Sequence, residues 1–248
     1  MGTKTNTGFT IIETMLFFAV AGVLTAAIFA GSSTSINQQR YKDSVNSLKS
    51  FVQQQYSETT NASNGRAGSE RCSASAVVLQ GPGSGAPQAR GTSECILLGR
   101  LITVDSTGTK LTASNVVGYR TPGTPEAISD ILEIKTNYKL GVSTIGEEKT
   151  EVAWSAVVVK KRTTQPTAVS ILVLRSPLSG SIMTYTSQTA VSNLQNMITL
   201  ANSNKSTELC VNPASGTLQD RRMAVQISPF ASSQGAIQVP PESSNVCD

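Results

Sequence analysis

The chain has 248 residues and a mass of 26.0 kDa, with 39% hydrophobic and only 15% charged residues, enough apolar material for a core and too little charge for a disordered tail. Twenty Lys and Arg against sixteen Asp and Glu leave a net charge of +4, which neither demands nor excludes an anionic partner. Histidine is absent, which removes His-dependent triads and His metal sites, and four cysteines are too few for a small disulfide-built scaffold.

Residues 9–31 (FTIIETMLFFAVAGVLTAAIFAG) carry one charge, Glu13. A helix of that length measures about 34 Å, enough to cross a hydrocarbon core of roughly 30 Å. Three readings compete. A secretory signal peptide ends in a small-residue cleavage site, which Ala26, Ala27 and Ala30 imitate, but it has a basic start and a shorter apolar core. A plain signal anchor has the right length and leaves the carboxylate unexplained, because a charge at mid-membrane costs about 2.5–3.5 kcal/mol and less near the interface. An ionisable group inside such a segment is a functional-site candidate by default.

The third reading accounts for all these features. Gly8-Phe9-Thr10-Ile11-Ile12-Glu13, a short polar leader ending in glycine and then an apolar run, resembles the class III signal of type IV prepilins and type II secretion pseudopilins. The resemblance implies cleavage between Gly8 and Phe9 by a prepilin peptidase, N-methylation of Phe9 and retention of the apolar helix. It makes Glu13 the fifth mature residue, at the family's glutamate, and sets Gly22 at a small mid-segment position. It also implies partners: other pilin subunits, a membrane platform and an assembly ATPase. The role of Glu13 has a physical basis. Among helices packed without water, a new α-amino group on Phe9 and a neighbour's Glu13 carboxylate attract strongly, and either one alone is costly. The pair rewards correct axial register.

After Gly31 the composition turns polar while helical spacing persists. Ile36, Tyr41, Val45, Leu48, Val52 and Gln55 fall close to one face, with Phe51 beside it, predicting an amphipathic helix to about Tyr56. Pilins are similar in this respect, although many carry a helix-bending proline in the apolar half, where this chain has Ala30; it has no proline before Pro82. Gly31-Ser32-Ser33 is the candidate loosening point.

Residues 59–68 (TTNASNGRAG) end that helix. Short β-rich runs follow at 75–79, 95–104, 116–119, 131–134, 152–160, 169–175, 181–185, 223–228 and 236–239, with Val191, Leu194, Met197 and Ile198 spaced as one short helix between them. Residues 81–91 and 119–127 read as loops. The predicted architecture is α+β: a leader (1–8), a transmembrane or filament-core helix (9–31), an amphipathic helix (32–57) and an antiparallel β-rich head (58–248) on which that helix packs. Within the head, 170–184, 208–211, 222–227 and 235–239 resemble the strand series of H-type minor pilins and pseudopilins.

Cys72, Cys95, Cys210 and Cys247 all follow the apolar segment. An even count on the exported side favours disulfides over buried thiols, and of three pairings the sequence-local one is Cys72–Cys95 with Cys210–Cys247. A bridged C-terminal loop also resembles a feature of pilins. Each bridge is worth about 3–4 kcal/mol by loop entropy.

Chemistry finds no foothold. Ser84 lacks the G-x-S-x-G frame because Pro82 stands at its first glycine, Glu147-Glu148 are the sole adjacent carboxylates and read as a solvated turn, and no P-loop, EF-hand or CxxC occurs. We expect no enzyme, cofactor or metal. Lys160-Lys161-Arg162 and Arg221-Arg222 form two basic clusters, ordinarily edge protection. Their alternative is contact with DNA phosphates or anionic surfaces, recognisable by steep salt dependence. Asn61-Ala62-Ser63 and Asn204-Lys205-Ser206 fit N-x-S/T without further support. The expected function is a structural filament subunit, first membrane-held and then part of a pilus or pseudopilus. The alternatives are a tip subunit binding DNA or a surface ligand, and a signal-anchored exported domain unrelated to filaments.

Overall fold

Helix α1 spans Ile11–Thr60, fifty residues without a proline. The computed structural model describes residues 10–61, 71–74, 76–80, 93–213, 222–241 and 246–247, and the chain divides into two compact units, 1–42 and 43–248. The first unit holds the apolar part of α1. Ile11–Phe29 is the one helix among the described residues long and apolar enough to cross a membrane, and none of it is buried. Being apolar on every side, it lacks the polar face that a helix needs to rest in water.

In the second unit, α1 becomes striped. Val45, Leu48, Val52 and Tyr56 are buried, as are Ser44 and Gln55 next to them in sequence. The partner surface is a five-stranded antiparallel sheet in the order β5-β4-β3-β7-β8, built from β3 (Cys95–Val104), β4 (Lys110–Arg120), β5 (Tyr138–Glu151), β7 (Val169–Arg175) and β8 (Ile182–Ser187). Register pairs Ile102 with Ala113 and Ile171, and Arg100 with Asn115 and Val173, so these residues share one face. Val173 pairs with Thr184, whose hydroxyl lies 2.8 Å from Tyr56 Oη. That face lies beneath α1. The opposite face carries Leu98, Leu101, Val116, Leu172, Leu174 and Tyr185, packed with Ile134, Leu194, Met197 and Ile198. Each fully buried aliphatic side chain in these two layers contributes about 1.5–3 kcal/mol.

A four-stranded antiparallel sheet, β11-β10-β9-β6, completes the head; its strands are β6 (Val157–Val159), β9 (Thr207–Asn212), β10 (Met223–Ile227) and β11 (Ile237–Gln238). The β3–β4 turn joins the two sheets: Val158 N–H donates to Gly108 O and Val152 N–H to Thr109 O, both at 2.8 Å. Strands β1 (Arg71–Ser73) and β2 (Ala76–Gln80) form a separate pair.

The α+β class and antiparallel head agree with the sequence reading, while several elements do not. Residues 131–134, expected as a strand, are helical: α2 (Asp130–Leu132) runs into a π turn, Glu133–Asn137. Ser129 caps this turn, accepting the Leu132 N–H; its Ser-Asp start outweighs the β-branched residues. Only 157–159 of the run 152–160 is strand, because Ala153–Ser155 turns with Trp154 and Ser155 at positive φ. The single helix expected around 191–198 is two, α3 (Leu194–Met197) and α4 (Leu200–Ser203), each capped by its own Asn193 or Thr199. Strand β5 was not expected as a strand at all. Ile36 is half exposed, so the buried stripe begins later than the spacing implied. The loop at 81–91 lies outside the described residues.

Candidate assembly site

The first residues described show what holds Glu13. Thr10 Oγ1 accepts the Glu13 N–H at 3.3 Å, while Glu13 Oε2 accepts the Thr10 N–H at 3.1 Å and the Thr10 hydroxyl at 3.2 Å. This reciprocal pattern is a capping box, Thr at the N-cap and Glu at the third helical position, satisfying two helix-start donors. It also sets a negative charge at the positive end of the helix dipole. The T-x-x-E spacing that announces it is present in the sequence. Gly8 and Phe9, the expected cleavage junction, lie outside the described residues. At Gly22, beyond the backbone of its own helix, no atom of the described residues stands within 4 Å of where a Cβ would be, so none of them crowds a larger residue there.

Both disulfides have the sequence-local pairing. Cys72–Cys95 and Cys210–Cys247 each have Cα atoms 5.7 Å apart. The first joins β1 to the start of β3 within a small cluster including Val117. The second ties the C-terminus to β9, where Cys247 packs with Val159 and Ala224.

Among the described residues, the two basic clusters of the sequence are not brought together into one patch. Lys160, Lys161 and Arg162 occupy a turn after β6 in which the Lys160 N–H donates to Gln165 O at 2.9 Å. Lys161 Nζ lies 3.8 Å from Glu208 Oε2. Arg162 has positive φ and donates its N–H to Cys247 O. Arg222 precedes β10; since Met223 and Val158 both pair with Val211, it lies toward the Val157 end of β6, away from Lys160. Arg221 lies outside the described residues.

The most connected polar group escaped the sequence reading. Arg100, on β3 and buried, donates Nε–H to Gln55 Oε1 at 2.8 Å. Its Nη1 donates to Asn115 Oδ1 at 2.8 Å and Gly146 O at 3.1 Å, and its Nη2 to Glu148 Oε1 at 2.6 Å, with Glu58 also paired to Nη2. Every guanidinium N–H is thereby used. Gln54 and Gln55 donate to Glu148 Oε2, so α1 is clasped to β3, β4 and β5. Glu147 and Glu148, read as a solvated turn, are strand residues beside a bulge in β5 that delivers the Gly146 carbonyl. Bulges re-aim backbone groups in this way.

A second buried hub is Glu133. It accepts from Arg120 Nε at 3.0 Å, Ala127 N–H at 2.8 Å and Asn137 Nδ2 at 2.6 Å. Burial pushes its carboxyl up, and the Ala127 amide, Arg120 and Asn137 outweigh it, holding the carboxyl below the usual glutamate value. Among the described residues no group of three Cys, Asp or Glu side chains is placed to hold a metal ion.

The Arg100 and Glu133 clusters are filled with partners, and among the described residues the longest run of exposed apolar side chains lies on Ile11–Phe29. No known protein family, no curated protein and no solved structure matches this chain.

Proposed function

We propose that this chain is a structural subunit of a type IV pilus-like or pseudopilus-like filament, cut between Gly8 and Phe9 and assembled through α1. One observation carries the reading: Ile11–Phe29 is apolar all round, wholly unburied, and continues as a single helix into a stripe that the head covers. A disposable signal peptide has no need of helical continuity with its cargo. A filament subunit does, because the same helix first sits in lipid and then packs among its copies. The disulfides fit a head displayed outside the cytoplasm.

Mass measurement and terminal sequencing of the mature protein test this. N-methylated Phe9 is the expected start. An intact Met1, or a cut after Ala30, overturns it.

The capping box favours a second reading, a signal-anchored head in which Glu13 merely finishes its own helix. That reading needs no partner subunit and predicts no filament in which this chain is found.

A further inference from the structure

We propose that this chain binds an uncharged saccharide in a polar cleft beside α1, with the indole of Trp154 as the surface on which a sugar ring stacks. The proposal goes beyond the filament reading and does not depend on it.

It starts from a turn whose residues suit its shape poorly. Between β5 and β6, Trp154 and Ser155 both hold left-handed backbone, at φ 58 and 56, and the Ala156 N–H closes the turn on Ala153 O at 3.3 Å. Two consecutive left-handed residues make the turn that prefers Asn-Gly, and a bulky side chain there is an outlier. The turn is held from both sides, since the Val152 N–H donates to Thr109 O and the Val158 N–H to Gly108 O. Yet the one tryptophan of the chain stands in it, 55% exposed. The turn disfavours this residue and the core leaves more than half of it in water. Strained backbone of this kind gathers where ligands are held.

The residues just before Trp154 line a cleft of about 240 Å³ against α1. Ser47, Ser50 and Thr150 bring hydroxyls to it, Gln54 a carboxamide and Glu151 a carboxylate, all on exposed residues. Among the described residues, no side-chain hydrogen bond or ion pair within the chain uses Ser47, Ser50, Thr150 or Glu151. Gln54 donates to Glu58 and Glu148, which leaves its Oε1. A second cavity of about 510 Å³ shares Leu111, Thr150 and Glu151 and continues past Asp105, Lys110 and Lys149. Joined, the two fall within the roughly 300–1,000 Å³ of ordinary small-ligand sites.

The lining selects the occupant. A polyanion finds no net charge, because Asp105 and Glu151 balance Lys110 and Lys149. An apolar segment finds no open floor, because Leu48, Leu111 and Val152 are already buried. A sugar ring matches both parts of the site. Its hydroxyls donate and accept at once, which serves hydroxyls, a carboxamide oxygen and a carboxylate alike. Its C–H faces cover an aromatic ring. An indole on a turn held at both ends loses little freedom when it is covered.

The test titrates the full-length chain, in a detergent without a sugar headgroup, with maltohexaose, cellohexaose and chitohexaose. Trp154 is the only tryptophan, so its emission reports on the site directly, and calorimetry measures the variants that lack it. At least one of the three sugars should change the emission saturably. Trp154→Asn suits the left-handed turn, so it should keep the thermal midpoint near wild type and weaken binding more than about tenfold. Trp154→Tyr keeps an aromatic face and should retain most of the affinity. Ser50→Arg crowds the cleft from an exposed position and should weaken binding about tenfold with the midpoint unchanged. A saturable response to none of the three sugars overturns the site. So does tighter binding of dextran sulfate than of any neutral sugar, or binding that both Trp154→Asn and Ser50→Arg leave intact.

Discussion

Arg100 Nε and Gln55 Oε1 meet at 2.8 Å, joining the middle strand of the larger sheet to α1 across 45 residues of sequence. The apolar stripe of α1 alone would tolerate small slides and rotations, because burial is not directional. A guanidinium with fixed donor directions does not tolerate them. The clasp thus sets where α1 sits, while Val45, Leu48 and Val52 supply most of the adhesion.

Replacing Arg100 with methionine should therefore destabilise the fold. Removing one partner of a buried ion pair costs about 3–5 kcal/mol; since Glu58 and Glu148 are each about one-third exposed, roughly 2–3 kcal/mol is expected. Arg100→Lys keeps the charge and loses the fork, so it should recover only part. Urea unfolding of the detergent-solubilised chain, followed by circular dichroism, measures both. A methionine variant with the wild-type midpoint would show that the clasp does not seat the helix.

Two glycines should separate collision from conformational strain. A Cβ at Gly99 would stand 2.0 Å from Val173 O, inside the β3–β7 pairing. Gly123 has φ +77 with nothing within 4 Å. Gly99→Ala should therefore cost more than about 3 kcal/mol, as overpacking against backbone does. Gly123→Ala should cost about 1–2 kcal/mol, from the left-handed conformation alone. Equal midpoints in thermal melts of the two variants would contradict this account.

Acid should weaken the head partly through Glu133. Its carboxyl sits below the usual value when folded, so the unfolded chain binds that proton more readily. The stabilisation is present above the unfolded pKa of about 4.3 and is lost as pH falls through the lower folded value. Asp105 acts with the same sign: burial raises its carboxyl, but the Thr107 hydroxyl and the Lys110 and Thr109 amides lower it further. Glu133→Gln should be less stable at pH 7 and decline less steeply between about pH 5 and pH 2. Parallel acid limbs for the two proteins would rule Glu133 out as a contributor.

Periodicity made α1 and several strands of the head legible. Strands β3 and β7 have the bounds that their apolar content implies, 95–104 and 169–175. The disulfide partners were readable from spacing. Strand β5 was not, although Tyr138, Leu140 and Val142 alternate toward one core layer; Gly141, Gly146 and two adjacent glutamates disguise it. The reason is tertiary, since Glu148 is in the strand as a partner for Arg100. No spacing rule links positions 55, 58, 100 and 148, so the clasp becomes visible only once α1 is laid on the sheet. The capping box was the opposite case, a local T-x-x-E signal overshadowed by the apolar run behind it.

Glu13 now has two physical explanations that one substitution separates. As the third helical residue of a capping box it accepts the Thr10 N–H, and glutamine at that position does the same. As the charge partner of a neighbour's Phe9 amino group it needs its negative charge, which glutamine lacks. Glu13→Gln should leave helix content and membrane insertion unchanged, and it should abolish or strongly reduce recovery of the chain in sheared filaments. Thr10→Ala should do the converse, weakening the helix start by about 1 kcal/mol while sparing the charge. Filament yields are compared by immunoblot of sheared and membrane fractions. If Glu13→Gln assembles as well as wild type while Thr10→Ala does not, the carboxylate serves its own helix and the intersubunit pairing is wrong.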